Sequence, residues 1–214
     1  MEDTTLTVAA VESVGADTIA VEITSPPEFD AQPGQFVKVT LDTADSEDSR
    51  FYTVSSPDVE DTFEITVEID PEGALGPAFA ELEAGDAVEV SGPFGSDFYE
   101  GEDPVIVLAG GPGVGPAVAI AERALADGHE AVVVYRDESP VHGERLDDLR
   151  ERGATVAVLD DDESLDAAVA SAIDRHGADS QCFVYGFADF IDAATSAIEG
   201  AGGDTSTAKI ENFG

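Results

Sequence analysis

The stretch GPFGSDFYEGEDPVIVLAG, Gly92 to Gly110, decides the fold, because the apolar pattern of the chain changes character across it, near residue 101. Upstream, apolar residues alternate or run in short blocks, TLTVAAV, TIAVEIT, QFVKVTL, RFYTVSS, FEITVEI and AVEVSG, parted by Gly, Pro and Asp clusters at barrel-like spacing. Residues 1–101 therefore read as an N-terminal antiparallel six-stranded β-barrel. One short helix is predicted at LGPAFAEL (75–82), apolar at helical spacing and followed by the turn EAGD. Downstream, residues 102–214 alternate apolar strands with helices: VIVLAG, a helix over 116–126, AVVVYR, a helix near 143–151, TVAVLD, a helix near 165–175, CFVYG, a helix near 189–199, and TSTAKI. Five strands joined by four helical crossovers predict a five-stranded parallel doubly wound sheet, so the fold class is β + α/β.

Composition bounds the function. A chain of 214 residues, 43% apolar, can bury two cores of roughly 100 residues each. It carries 47 acidic against nine basic residues, a net charge of −38 spread along its length. Self-repulsion of that size is screened only near molar salt, where the Debye length is about 3 Å, and the pattern resembles cytoplasmic proteins of extreme halophiles. Phosphate neutralisation needs a basic face, so nucleic acid is not an expected partner. No apolar run approaches the roughly 20 residues of a membrane span and the opening MEDTTLTVAA is no leader, so a cytoplasmic, membrane-free protein is expected. A single cysteine, Cys182, excludes an internal disulfide and a cysteine-held cluster or zinc site built from this chain alone. His129, His142 and His176 lack ligand spacing, and no metal site is expected.

In open parallel sheets ligands bind beyond the carboxyl ends of strands, which directs attention to LAGGPGVGPAVAI. There Gly111, Gly113 and their neighbours let the backbone approach an anion, and the helix that follows offers free N–H groups. Alone, such a turn marks tight strand–helix packing as readily as a pyrophosphate.

Read in chain order, however, six motifs resemble the ferredoxin–NADP reductase superfamily. They are QPGQFVKV, RFYTVSSP with its Arg-x-Tyr-Ser/Thr pattern, GDAVEVSGPFG, AGGPGVGP, VYGFADFIDAATSAI and IENFG. The resemblance implies a flavoprotein oxidoreductase in which Arg50, Phe51, Tyr52, Thr53 and Val54 hold the flavin, Thr53 lies near its redox-active nitrogen, and Gly73, Leu75 and Gly76 approach its phosphate. It implies that Gly111, Pro112, Gly113, Val114, Pro116, Arg136, Tyr185 and Gly186 meet the nicotinamide dinucleotide. Glu211 and Phe213 would lie near the flavin ring, Thr53 and Glu211 being the catalytic candidates; the plain alternative is that both merely end a strand.

The chemistry of the flavin signature agrees. Along a strand alternate side chains share a face, so Arg50 and Tyr52 point the same way. A guanidinium grips phosphate in a fork and a phenol ring lies against an aromatic plane. The plain alternative makes Arg50 a surface partner for an acid such as Asp48, and Tyr52 barrel core.

Three positions depart from the family. GALG, Gly73 to Gly76, lacks the family's hydroxyl and leaves only backbone N–H groups. Pro112 replaces a Thr and supplies neither hydroxyl nor N–H. Tyr185 stands where the family has Cys. The expected cofactor is FAD in preference to FMN, with NADH or NADPH as co-substrate and a separate electron-transfer protein, such as a ferredoxin, or a small molecule as acceptor. The alternative is a flavin- or nucleotide-binding regulatory module without turnover. In YRDESPVHGERLDD, Asp137 and Glu138 follow Arg136 and would repel a ribose 2′-phosphate, which favours NADH.

Overall fold

The computed structural model describes residues 1–43 and 47–214. The first half forms strands β1 (Thr4–Ser13), β2 (Thr18–Thr24), β3 (Phe36–Asp42), β4 (Glu47–Thr53), β5 (Thr62–Glu68) and β6 (Ala87–Phe94), with helix α1 (Gly76–Ala80) between the last two. They pair in the order β4-β3-β6-β1-β2-β5, every neighbour antiparallel. The two edge strands meet through a bridge between Val54 and Ile65, where the Ser55 N–H donates to the Glu64 carbonyl at 2.8 Å. This one bridge draws the edge strands together at the end of β4 and curls the sheet into a barrel.

Period-two patterning fills the interior: Val37, Val39 and Leu41 of β3 and Phe63, Ile65 and Val67 of β5 are all buried in one cluster. Strand β4 breaks the pattern. Its Arg50 and Tyr52 stand opposite Val39 and Val37 and share their inward face, yet neither is fully buried. Here the barrel opens toward α1, whose Phe79 meets the Tyr52 ring at 5.2 Å and 71°. On the outer face of the same strands, Phe51 packs edge-on against Phe36 and Phe94 and remains 62% exposed.

The second half forms β7 (Val105–Gly110), α2 (Val114–Ala126), β8 (Ala131–Arg136), α3 (Gly143–Glu151), β9 (Thr155–Leu159), α4 (Asp166–His176), β10 (Gln181–Gly186), α5 (Ala188–Gly200) and β11 (Lys209–Asn212). The strands are parallel in the order β11-β10-β7-β8-β9. Strand β7 is buried on both faces, which is why VIVLAG is continuously apolar. Val105, Val107 and Ala109 face α2 and α3, whereas Ile106 and Leu108 face α4 and α5. Strand order reverses at β7, so a crevice opens beyond the carboxyl ends of β7 and β10.

The structure shifts three boundaries. Helix α1 covers five residues, shorter than the predicted 75–82. Its first residue, Gly76, abuts the Asp70 backbone so closely that a Cβ would collide with the Asp70 carbonyl, and Glu81 caps its end. Helix α2 begins at Val114, after a helical turn over Gly111–Gly113. The last strand starts at Lys209, because the Asp204 carboxylate accepts the Ser206 N–H at 2.8 Å and winds Thr205–Thr207 into a turn.

Candidate functional site

A cavity of about 460 Å³ lies at the seam of the two halves. From the barrel it takes Arg50, Phe51, Tyr52 and Thr53 of β4, Thr66 to Glu68 of β5, and the turn Asp70–Gly76 with Phe79 above it. From the sheet it takes Pro112 and Pro116 after β7, Phe187 after β10, and Glu211, Asn212 and Phe213 at the end of β11. The structure thus gathers Arg50, Phe51, Tyr52, Thr53, Gly73, Leu75, Gly76, Pro112, Pro116, Glu211 and Phe213 from the residues singled out in the sequence. Val54 sits just beyond, in the barrel-closing bridge. Sequence reasoning missed Glu68, Asp70, Phe79, Phe187 and Asn212. Phe187 was the most discoverable, as a large apolar residue directly after a strand at its carboxyl end, and it is half exposed and set edge-on to Phe213 at 6.3 Å.

Arg50 is exposed at the rim, and its Nη1 donates only to the neighbouring Ser49 carbonyl, at 2.9 Å. Among the described residues it has no acidic partner, so the pairing with Asp48 is not what holds it. The amides of Ala74 and Leu75, residues that line the same cavity, find no acceptor among the described residues. Tyr52 is desolvated by the barrel, which pushes its phenol up to about 12. Thr53 Oγ1 donates to Glu211 Oε1 at 3.3 Å and joins the two halves inside the cavity. Burial lifts the Glu211 carboxyl from 4.5 to about 7, opposed by the Thr53 hydrogen bond and assisted by Asp97.

A second cavity of about 220 Å³ shares Glu68 and Pro112 with the first and continues past Gly111 to Asp137, Glu138 and Ser139. Asp137 is fixed there, accepting from Tyr135 Oη at 3.0 Å and from the Ser139 N–H at 2.8 Å. Arg136 turns away and lies over the Phe190 ring at 5.3 Å. That ring fills the space above Gly110 and Gly186, where an added Cβ would come within 2.5 and 2.8 Å of it. Gly113 and Val114 are buried beneath the loop. Tyr185, fully buried, reaches across the seam, its hydroxyl donating to the Asp97 carbonyl at 3.1 Å.

Further contacts fix the seam. Arg145 of α3 donates to Glu64 at 2.8 Å, to the Ser55 carbonyl at 2.7 Å and to both oxygens of Glu122 at 2.8 and 2.6 Å. His142, buried and kept neutral by desolvation, which lowers it to about 3, bonds Thr66 at 2.8 Å. Lys209 grips the chain between the halves at the Phe98 carbonyl, Glu100 and Glu102. Among the described residues no His, Cys, Asp or Glu cluster could hold a metal ion, and no helix is long and apolar enough to cross a membrane.

A barrel whose rim offers an arginine without an acidic partner among the described residues, two amides without an acceptor and a tyrosine ring could hold a phosphate joined to an aromatic plane. Residues 5–99 match the oxidoreductase FAD-binding domain family. Among curated proteins the chain is 37% identical over 92 residues to a probable dihydroorotate dehydrogenase B (NAD(+)) electron transfer subunit of Methanopyrus kandleri, covering 43% of this chain and 33% of that one. It is 32% identical over 136 residues to the aromatic O-demethylase reductase subunit of an Amycolatopsis species, covering 59% and 40%. The chain therefore spans only about a third to two fifths of these relatives. Among solved structures it superposes on the FAD/NAD binding domain of a Vibrio cholerae nitric oxide dioxygenase with a TM-score of 0.84 at 20% identity, covering 98% of both chains. A Neisseria gonorrhoeae ferredoxin NADP+ reductase with bound FAD and NADP gives 0.82 at 17% identity, covering 100% of both. The two-domain fold of such reductases is the fold of this chain.

Proposed function

We propose that the chain is an FAD-dependent oxidoreductase that takes electrons from NAD(P)H and passes them to a separate electron-transfer protein or a small acceptor. Residues 1–101 serve as the flavin half and 102–214 as the nicotinamide half. The observation that carries this reading is the shared cavity, which unites the β4 signature with Pro112, Phe187, Glu211 and Phe213 from the other half.

The residues present fit the cofactor. Arg50 and the Ala74 and Leu75 amides would hold its phosphates, and Tyr52 would lie against its ring system; a five-residue α1 adds little dipole of its own. FAD supplies the capacity to accept an electron pair from a nicotinamide and release electrons singly. Thr53 and Glu211 form the polar contact beside that ring, and with its pKa near 7 Glu211 can give up or take a proton at neutral pH. Phe213 and Phe187, set edge-on to one another, line the cavity and would lie beside the ring system. The nicotinamide nucleotide would run from this cavity over Pro112 into the second one, where the fixed Asp137 carboxylate accepts hydrogen bonds from a ribose 2′-hydroxyl and repels a 2′-phosphate, favouring NADH.

The named relatives are an electron transfer subunit and a reductase subunit, which supports a partner protein as acceptor. With its one cysteine buried in β10, the chain supplies no iron–sulfur ligand set of its own, so a ferredoxin-like carrier is the partner we favour. The charge of −38 fits a cytosol of high ionic strength. The test is an anaerobic titration of the flavin-loaded protein in high salt, following flavin absorbance as NADH or NADPH is added. Bleaching by one nicotinamide is expected. Folded, flavin-loaded protein that neither nucleotide reduces would overturn the reading.

A further inference from the structure

The outer face of β4, β3 and β6 carries three phenylalanines side by side. Phe36 stands opposite Phe94 across β3 and β6, and the Phe51 ring meets both edge-on, at 5.4 and 6.1 Å. We propose that this aromatic patch is where the electron-transfer partner docks, and that the partner is an acidic protein presenting an apolar contact face. The inference rests on the electron-transfer reading above.

Three observations carry it. The first is exposure. Elsewhere the barrel turns polar side chains outward, such as Thr5 and Thr7 of β1 and Glu22 and Thr24 of β2, whereas here Phe51 and Phe94 are 62% and 40% exposed. Contiguous aromatic surface of this kind marks a contact with another molecule. The second is continuity with the cavity. Phe51 lines it as well, and Thr53, next on the same face of β4, bonds Glu211 inside it. A protein seated on the patch therefore rests at the cavity's edge, placed to take electrons singly. One NADH supplies the two electrons that two partner molecules accept in turn, with release of one proton.

The third is charge. With −38 spread along this chain, a basic partner is drawn to nearly every surface and has no cause to choose this one, whereas an acidic partner is repelled by the rest. At the patch the repulsion slackens. Lys38 stands opposite Phe51 and engages Asp3 at 3.3 Å, and its neighbour on β6 is Ser91, so that border carries no net charge. Salt screens what repulsion remains and leaves the burial of the rings intact.

The test measures binding of the flavin-loaded protein to a purified acidic iron–sulfur ferredoxin by surface plasmon resonance, with a basic cytochrome c for comparison, as salt is raised from about 0.5 M to above about 1 M. Ferredoxin binding is expected to hold or strengthen, and cytochrome c binding to fall away. Phe94→Asp should weaken ferredoxin binding at least about tenfold and leave flavin content and its bleaching by NADH unchanged, while Phe94→Leu should keep most of the affinity. No ferredoxin binding, binding that Phe94→Asp leaves intact, or binding that falls steeply with salt overturns the inference, and bleaching by NADH shows that the electron-transfer reading stands. A wild type that sediments as a dimer, made monomeric by Phe94→Asp, gives the patch to a second copy of the chain and likewise overturns the inference. Flavin that no nicotinamide bleaches overturns the electron-transfer reading itself.

Discussion

Arg145 of α3 and Glu64 of β5 meet at 2.8 Å across the seam between barrel and sheet, and both side chains are more than three quarters buried, at 22% and 18% exposure. The same guanidinium closes on Glu122 of α2 and on the carbonyl of Ser55, two residues beyond Thr53. One cation therefore neutralises two sheltered carboxylates and ties α2 and α3 to the barrel.

Removing that cation leaves both carboxylates facing each other without compensation. Arg145→Ala is expected to cost about 3 kcal/mol of unfolding free energy, read from denaturant titration at fixed high salt. Arg145→Lys should recover only part, because an ammonium cannot serve three acceptors in a planar fork. A loss in Arg145→Ala no larger than that of Arg123→Ala, whose pair with Asp127 lies exposed within one helix, would show that the seam does not depend on this contact.

Arg50 stands in a half whose one other basic residue is Lys38, and Lys38 is engaged by Asp3 at 3.3 Å. Arg50→Ala is expected to weaken flavin binding by roughly ten- to more than a hundredfold, the equivalent of one charge-assisted phosphate contact of about 1.5–3 kcal/mol. Flavin retained per folded chain after identical washing measures it. Retention equal to wild type would reduce Arg50 to a surface charge.

The Glu211 carboxyl, lifted by burial from 4.5 to about 7, binds its proton more tightly in the folded chain than in the unfolded one. The stability it contributes is therefore complete below pH 4.5 and is lost as pH rises through 7. Glu211→Gln removes this dependence, so the difference in melting temperature between wild type and variant should move against the wild type across that window. A difference that stays constant with pH would mean that the carboxyl titrates normally.

For nucleotide choice, Asp137→Ser should shift the ratio of specificity constants toward NADPH, since it removes a fixed anion from the second cavity. Tyr135 donates to that same carboxylate, so Tyr135→Phe should loosen it and shift the ratio in the same direction by less. Steady-state kinetics with both nicotinamides decide this. A ratio unmoved by Asp137→Ser would place the ribose elsewhere.

The strands and most helices were legible because each is encoded by its own neighbours. The alternation in TIAVEIT gives β2, and the uniform burial of β7 gives the run VIVLAG. The cavity was half legible: Arg50, Tyr52 and Thr53 stand together in the chain, and the loop around Pro112 announces itself by glycine. What was hidden depends on distance in sequence. Nothing local marks Glu64 as the partner of Arg145, 81 residues away, nor His142 as the partner of Thr66. Tyr185 read as a position on the nucleotide side, and nothing local marks its hydroxyl as spent on the Asp97 carbonyl, 88 residues away.

The Phe190 ring, wedged above both Gly110 and Gly186, ties the loops after β7 and β10 to a single side chain. The three positions can vary only as a set. A methyl at either glycine is admissible once the ring has shrunk, so substitutions here should be strongly non-additive, each harmful alone and tolerated in company. Through that ring, the loop that would carry the nucleotide and the loop that bears Phe187 inherit one another's mutational history.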